Sequence, residues 1–318
     1  LAFNADGVLD SRNRSLAGSY KADEDVYSAY AMAQTRIGKW TILGGARAEL
    51  TQVSFSTHQG ISLNSIYVNA LPVSRSNDYV DVLPGVHVRY DASKALVLRG
   101  AATGTLARAS YRQLNPSSVI NNTDLTLTQG DTGLDPTTSV NLDLMAEYYL
   151  GELGVLSGGV FYKDMSDNVY RLRRTALGST LPGANQPTAN YQVSEFRNAK
   201  GAELHGFEVG FERTLRFLPS PFDGLGVFAN YTWTDSDVDT GLPGRQGRET
   251  PLFGQVGSSY NAGLTYQKYG AQVRVAYNWR DTYLDFDGIN ANPDLDRYLG
   301  ELGALDLSAS YALPKGFT

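Results

Sequence analysis

The chain is 318 residues long, carries a formal net charge of −6 and contains no cysteine. The missing cysteines remove disulfides and thiolate metal sites, and the acidic balance argues against a nucleic-acid partner, which would show a basic footprint. No apolar run approaches the roughly 18 residues of a transmembrane helix and the mean hydropathy is −0.28. A helical membrane protein is therefore excluded, but a β-barrel is not, because only every second residue of its strands meets lipid.

Residues 1–25 read as a loop-like lead-in. Leu1-Ala2-Phe3-Asn4-Ala5-Asp6 turns polar at the fourth residue and lacks the apolar stretch of a signal peptide, so this start reads as internal. From residue 26 onward the chain alternates short and long connections between amphipathic segments. The pairs 26–37/40–55, 78–90/95–110, 138–150/154–170, 200–213/224–236 and 257–267/271–284 are each closed by a short turn. Between pairs run the long stretches 56–77, 111–137, 171–199, 237–256 and 285–302. Soluble β-proteins rarely sort loop length this way, whereas outer-membrane barrels put tight turns on the periplasmic side and long loops outside the cell.

Period-2 alternation identifies the strands, because successive side chains point to opposite faces. Leu142, Leu144, Ala146 and Tyr148 oppose Asn141, Asp143, Met145 and Glu147, and Phe207, Val209 and Phe211 oppose Glu208 and Glu212. Val227, Ala229, Tyr231 and Trp233 alternate with Phe228, Asn230, Thr232 and Thr234. Val273, Val275, Tyr277 and Trp279 alternate with Gln272, Arg274, Ala276 and Asn278, and Leu305, Leu307, Ala309 and Tyr311 with Asp306, Ser308 and Ser310. The polar faces carry Arg47, Glu49, His87, Arg89, Arg99, Asp143, Glu147, Glu208, Glu212 and Arg274. A packed sandwich core would not take them, since an unpaired buried charge is costly. Segments such as 40–55 and 95–110 also exceed the soluble mode of about 5 or 6 residues.

Aromatic residues make up 11% of the chain, led by 20 Tyr. Tyr90, Tyr148, Tyr266 and Tyr311 end apolar faces beside short turns, while Tyr231, Trp233, Tyr277 and Trp279 stand toward the long loops. Two such belts fit the girdles at the two membrane interfaces. The reading is an all-β, antiparallel up-and-down transmembrane barrel wall, with strands from about 26 to 313. Eleven strands are visible, and a twelfth is expected near Phe317. Single-chain barrels normally hold an even number and close first to last, so the chain reads as part of one larger barrel domain.

At 105–149 the sequence runs Thr105-Leu106-Ala107-Arg108-Ala109-Ser110-Tyr111, Leu114-Asn115-Pro116, Gly130-Asp131-Thr132-Gly133-Leu134-Asp135-Pro136, Asn141-Leu142-Asp143-Leu144 and Glu147-Tyr148-Tyr149. This resembles the C-terminal half of TonB-dependent outer-membrane receptors, in which a T-x-A-R-P-S-Y-x-x-L-N-P strand end leads to a G-N-P-x-L-K-P loop and an S-x-N-x-D-L-x-x-E-Y-Y strand. Further matching stretches are Gly158-Gly159-Val160-Phe161-Tyr162-Lys163-Asp164, Gly206-Phe207-Glu208, Asn230-Tyr231-Thr232, Asn261-Ala262-Gly263-Leu264 and Tyr277-Asn278-Trp279-Arg280. Ala109 stands where the family usually has Pro, and Asp131-Thr132-Gly133 and Asp135 replace its Asn-Pro and Lys. These departures bear on loop conformation, not on fold. The resemblance runs from about residue 24 to the end. It implies an outer-membrane receptor that takes up a scarce nutrient through a barrel of 22 strands, with this chain supplying 11 or 12 of them. It also implies as partners outer-membrane lipid, an N-terminal plug domain and final strands outside this chain, a TonB-type inner-membrane energising complex acting through the plug, and an extracellular solute.

Sites of bond chemistry are not evident. Asp235, Asp237 and Asp239 suggest a calcium loop, but an EF-hand needs Gly at position 6 and Glu at 12, where this chain has Thr240 and Gln246. Asp285, Asp287, Asp294 and Asp296 form a similar acidic group. His58, His87 and His205 are widely spaced, and there is no G-x-S-x-G elbow or phosphate loop. No enzyme, metal or cofactor is expected. The candidate solute-binding residues are the loop residues Tyr111, Arg112, Asn115, Arg171, Arg173, Tyr191, Arg245, Tyr283 and Asp285. Tyrosines suit sugar stacking and arginines suit an anionic chelate, and solvated polar loops are the plainer explanation for any one of them. The expectation leans to an oligosaccharide, with a ferric siderophore next. A passive porin or an outer-membrane barrel enzyme is the alternative from another class.

Overall fold

A computed structural model describes residues 5–64, 66–285, 288–290 and 292–312. Eleven strands form the wall: β1 (Lys21–Ile37), β2 (Trp40–Leu63), β3 (Ile66–Asp91), β4 (Leu96–Ala107), β5 (Thr137–Tyr149), β6 (Gly154–Ser166), β7 (Gly201–Thr214), β8 (Leu225–Asp239), β9 (Ser258–Lys268), β10 (Ala271–Arg280) and β11 (Leu302–Tyr311). Each pairs antiparallel with its neighbour in this order. The order is sequential, as an up-and-down wall requires. The turns at 38–39, 92–95, 150–153, 215–224 and 269–270 share one rim, and the long connections share the other, as the sequence predicts. The twelfth strand expected near Phe317 lies outside the described residues.

Register carries each face unbroken from strand to strand. On one side Glu49 stands opposite Asp81, Arg89 opposite Arg99, Asp143 opposite Phe161 and Glu208 opposite Gly159. The series continues with Asn230, Asn261 and Asn278. On the other side Leu144 stands opposite Val160, Val160 opposite Phe207, Val209 opposite Tyr231, and Val275 opposite Leu307. A slip of one residue would exchange the two faces, so the register fixes which is which. The polar face is the lumen side and the apolar face meets lipid. Leu142, Leu144, Phe207, Val209, Phe211, Val273 and Val275 all fall on the lipid side. Leu144 and Leu307 leave 64% and 72% of their surface uncovered by protein, as side chains awaiting a bilayer do. The aromatic belts lie where expected. Trp40 packs on Tyr90 at 4.3 Å near the short turns, and Tyr260 stacks on Trp279 at 5.3 Å near the long loops.

Two stretches of the wall differ from the sequence reading. The lead-in 1–25 contains helix α1 (Ala5–Gly18), and β1 begins at Lys21. Stretch 56–77 is not a loop, because β2 runs to Leu63 and β3 restarts at Ile66, which carries one hairpin well past the membrane. The two corrections share a cause. A short helix is marginal unless something packs on it, and here Asp10 accepts the Tyr67 N–H at 2.6 Å while Arg14 lies 4.9 Å from the Tyr67 ring. Ala17 seats over Gly60, where a Cβ would approach its own Cβ to 2.7 Å.

The remaining long connections fold into a second, extracellular layer. Stretch 111–137 holds α2 (Tyr111–Leu114) and the short strands Ser118–Asn121 and Thr126–Gln129. Stretch 171–199 is mostly a hairpin, Val169–Leu177 with Asn190–Asn198. These strands join edge to edge onto the distal end of β2, and Ile289–Asn290 adds the far edge of a sixteen-stranded sheet. Three clusters anchor the layer: Tyr170, Leu172, Val238, Leu284 and Ile289; Ile120, Leu127, Tyr191 and Val193; and Leu114 and Leu134 against Val53 and Phe55 of β2.

Candidate functional site

The lumen face of the wall is a lattice of paired charges. Arg47 and Arg108 both engage Glu49, and Arg108 also donates to the Thr51 hydroxyl at 3.0 Å. Arg99 grips Glu147 through two nitrogens at 3.3 and 3.2 Å, and Tyr149 donates to the same carboxylate at 2.9 Å. Between the Glu49 and Glu147 pairs a hollow of about 410 Å³ is bounded by His87, Arg99, Asp143, Met145, Phe161 and Glu208. Charge-assisted pairs hold such side chains in fixed positions, so the inner wall is a preset polar surface.

A larger cleft, of about 600 Å³, opens at the extracellular mouth. Three elements build it. Gln59, Val73 and Arg75 come from the extended β2–β3 hairpin, Gln129 to Gly133 from the connection after β4, and Glu195 to Arg197 from the strand Asn190–Asn198. Thr57 stands opposite Val73 and Phe55 opposite Arg75, which puts all of these hairpin residues on the lumen-side face. Glu195 sits at the back with 7% of its side chain exposed. Arg174 donates to it at 3.0 and 3.2 Å, Arg197 lies at 2.6 Å and Gln129 at 3.2 Å. Burial pushes this carboxyl up, but the two guanidiniums override burial and hold it below the ordinary carboxylate value. Asp131 turns back to accept the Gly133 N–H at 2.8 Å, and Arg75 donates to the Ser74 carbonyl at 3.1 Å. The cleft therefore presents amides and hydroxyls beside the paired Glu195 and Arg197, while Arg75 and Asp131 stand outside any ion pair among the described residues. Among the described residues no His, Asp or Glu grouping could hold a metal ion.

Sequence comparison completes the assignment. The family model for the β-barrel of TonB-dependent receptors matches residues 2–318. The chain belongs to the TonB-dependent receptor family. It is thus part of the barrel wall in a family of outer-membrane receptors and transporters of Gram-negative bacteria, not of enzymes. Similar solved structures include the ferric citrate transporter FecA in its unliganded form, with a TM-score of 0.61, 12% identity, and coverage of 93% of this chain and 39% of that one. The copper transporter OprC gives 0.63 and 12%, covering 92% and 41%. The ferric enterobactin receptor PfeA of Pseudomonas aeruginosa gives 0.59 and 15%, covering 93% and 47%. At these identities the likeness is one of fold. The chain spans less than half the length of each of these receptors.

The receptor barrel distributes the nine predicted residues unevenly. Tyr111 is exposed and donates to Glu24 at 2.7 Å, and Arg112 beside it is exposed. Asn115 closes α2 and accepts the Ser117 N–H at 3.0 Å. Arg171 and Arg173 share one face of their strand, with Arg171 donating to Ser194 at 2.6 Å and Arg173 opposite the same serine. Tyr191 has no exposed surface, and its hydroxyl lies 2.6 Å from the Asn122 side-chain oxygen. Arg245 is buried against Asp296, Asp285 is buried against Arg297, and Tyr283 lies beneath Arg280 at 4.7 Å. None of the nine lines the 600 Å³ cleft. Its own residues, Gln59, Arg75, Gln129, Asp131 and Glu195, were not singled out as candidates by the sequence. The alternation of apolar and polar residues through 169–173 and 191–194 marks the hairpin, but it breaks at Arg174 and Glu195, which share the face of Leu172 and Val193, so the pattern does not point to the cleft carboxylate.

Proposed function

We propose that the whole protein is a receptor–transporter that captures a scarce extracellular solute at the mouth cleft and imports it with energy delivered by a TonB-type complex acting through a plug domain. The observation that supports a binding role is the cleft itself, a preset polar recess on the lumen-side face of the extracellular layer. The solute class it supports best is an oligosaccharide. Glu195 is neutralised by its own arginines, and beside Arg75 and Asp131 the recess offers amides and hydroxyls from Gln59, Ser76, Ser118, Gln129 and Thr132, which suit a neutral polyol. The tyrosine argument for sugar stacking is weaker than the sequence suggests, since Tyr170 and Tyr191 are used inside the protein.

A second reading is an anionic metal chelate such as a ferric siderophore. Arg75 favours it, because this guanidinium at the cleft makes no ion pair among the described residues. The ferric and copper cargoes named for the similar structures belong to those proteins. Titration of the full-length receptor separates the two readings. A neutral saccharide should bind with little salt dependence and survive Arg75→Gln, whereas an anionic chelate should weaken with salt and with that substitution. Uptake that persists after the proton-motive force is collapsed would overturn the energised mechanism. A growth defect of a receptor-deleted strain confined to iron starvation would overturn the saccharide.

A further inference from the structure

The turn Leu215–Gly224 on the short-turn rim presents aromatic rings to water. Phe217 and Phe222 are 67% and 56% exposed, and Tyr269 on the adjoining turn is 64% exposed. This is not a loose loop. Leu218 N–H bonds to Leu215 O at 3.0 Å, Phe222 N–H to Pro219 O at 2.9 Å, and Leu215 N–H to Leu225 O at 2.7 Å. Lys268 donates to Ser220 at 3.0 Å and pairs with Asp223, while the Ser220 and Tyr269 hydroxyls meet at 2.7 Å. The rings are thus held outward by a braced turn, and contiguous exposed apolar surface marks an interaction site.

The cations around the rings indicate its nature. Arg213 follows Phe211 on the lipid-facing side and stands opposite Val227. Lys268 follows Tyr266 on the same side and stands opposite Ala271. The Arg213 stem crosses Gly154 of the wall, and the Lys268 Cβ stands against Gly224 of the turn. A Cβ at Gly154 would come within 2.9 Å of Arg213, and one at Gly224 within 2.7 Å of Lys268. The Arg213 guanidinium sits 5.0 Å from the Phe217 ring and the Lys268 ammonium 4.8 Å from the Tyr269 ring. Arg216 is exposed in the turn itself. Three cations against the single carboxylate of Asp223 leave a net positive patch, at the end of a lipid-facing stripe and capped by aromatics.

We propose that this patch binds the anionic phospholipid of the periplasmic leaflet. Arg213 and Arg216 would hold the headgroup phosphate, for which the planar guanidinium fork is suited. Phe217, Phe222 and Tyr269 would enter the interface beside the glycerol backbone, where amphipathic rings concentrate. The turn would then anchor the β7–β9 wall at a fixed depth.

The test uses the full-length receptor in nanodiscs of phosphatidylcholine with or without phosphatidylglycerol. Native mass spectrometry should show retained phosphatidylglycerol. The double variant Arg213→Gln/Arg216→Gln should retain less, by about fivefold per arginine, with its heat-modifiable electrophoretic shift unchanged. Separately, the emission gained by Phe217→Trp should be quenched by bromine-labelled phosphatidylglycerol and shielded from aqueous iodide. Unchanged lipid retention in the double variant would overturn the proposal. So would emission open to iodide and blind to the brominated lipid. Shielding that appears only on adding a periplasmic protein fragment would assign the patch to a protein partner and overturn it as well.

Discussion

Arg245 uses its whole guanidinium inside the protein, donating to the Asn290 carbonyl at 2.9 Å and the Thr250 hydroxyl at 3.1 Å and pairing with Asp296. Both charged side chains are 3% exposed. Such a pair adds little over an apolar substitute of equal shape, but breaking it strands a buried charge. Arg245→Met should therefore destabilise the junction between stretches 237–256 and 285–302 by about 3–5 kcal/mol, read as lost amide-exchange protection at Thr250 and Asn290. Arg245→Met/Asp296→Leu should recover most of the protection at Thr250, whose amide bonds to Asp237 at 2.8 Å, and a double variant as damaged there as the single one would count against the account. Glu195 supports a pH prediction of definite sign. Its folded pKa lies below the ordinary glutamate value of 4.5, so the stabilisation is fully present above that value and is lost as pH falls through the folded one. Proteolytic resistance of the hairpin Val169–Leu177/Asn190–Asn198 should fall below about pH 4.5. Glu195→Gln should flatten that dependence, at the cost of leaving Arg174 and Arg197 facing a neutral amide.

The wall strands were legible because a barrel strand has one apolar and one polar face, and period-2 alternation in 141–148 or 273–279 has no other economical explanation. Their partners were legible too, since short turns join neighbours. The extracellular layer was not. Its strands are short, and they pair with segments distant in sequence, such as Gly60–Ser62 with Val119–Asn121, so no local turn announces them. Helix α1 was hidden for a similar reason, as Asp10 and Arg14 gain their role only through Tyr67. The same limit applied to the site. Polar loop composition flagged Tyr191 and Arg245, but composition cannot separate a residue that ties loops together from one that faces a solute. The face assignment itself is testable at matched depth. Leu144→Arg on the lipid side should cost about 2–4 kcal/mol in refolding titrations. Glu208→Arg on the lumen side, two pairings away through Gly159 and Met145, should cost much less; equal costs would refute the two faces. On the lipid side near the outer rim, Asp164, Glu203 and Asp237 stand opposite one another across β6, β7 and β8. Like charges directly opposed destabilise a sheet. Glu203→Gln should therefore raise stability by about 0.2–1 kcal/mol, and a loss would show that this carboxylate has a compensating role.

At the scale of the molecule, one sheet serves two environments. Its lower part is a two-faced wall with polar side chains inward, and its upper part is a packed layer with its own buried clusters. That division predicts how the receptor looks to a protease on intact cells. Arg112 and Arg248 are exposed on the long-loop side, whereas Arg245 is buried nearby and Arg174 is tied to Glu195 within a strand pair. Lys39, Lys94 and Lys268 all lie at the opposite rim, in or beside the short turns. Trypsin added outside the cell should cut first after Arg112 and Arg248, while the peptide bonds after Arg245 and Arg174 persist. Cleavage after Lys39 and Lys94 should begin only once the outer membrane is breached. Cutting after Lys39 or Lys94 in sealed cells would place the short turns outside and reverse the orientation on which both the mouth cleft and the phospholipid anchor depend. Early cutting after Arg245 would leave the orientation intact but show that the extracellular layer is not closed, and the cleft would then have to form around its solute instead of waiting for it.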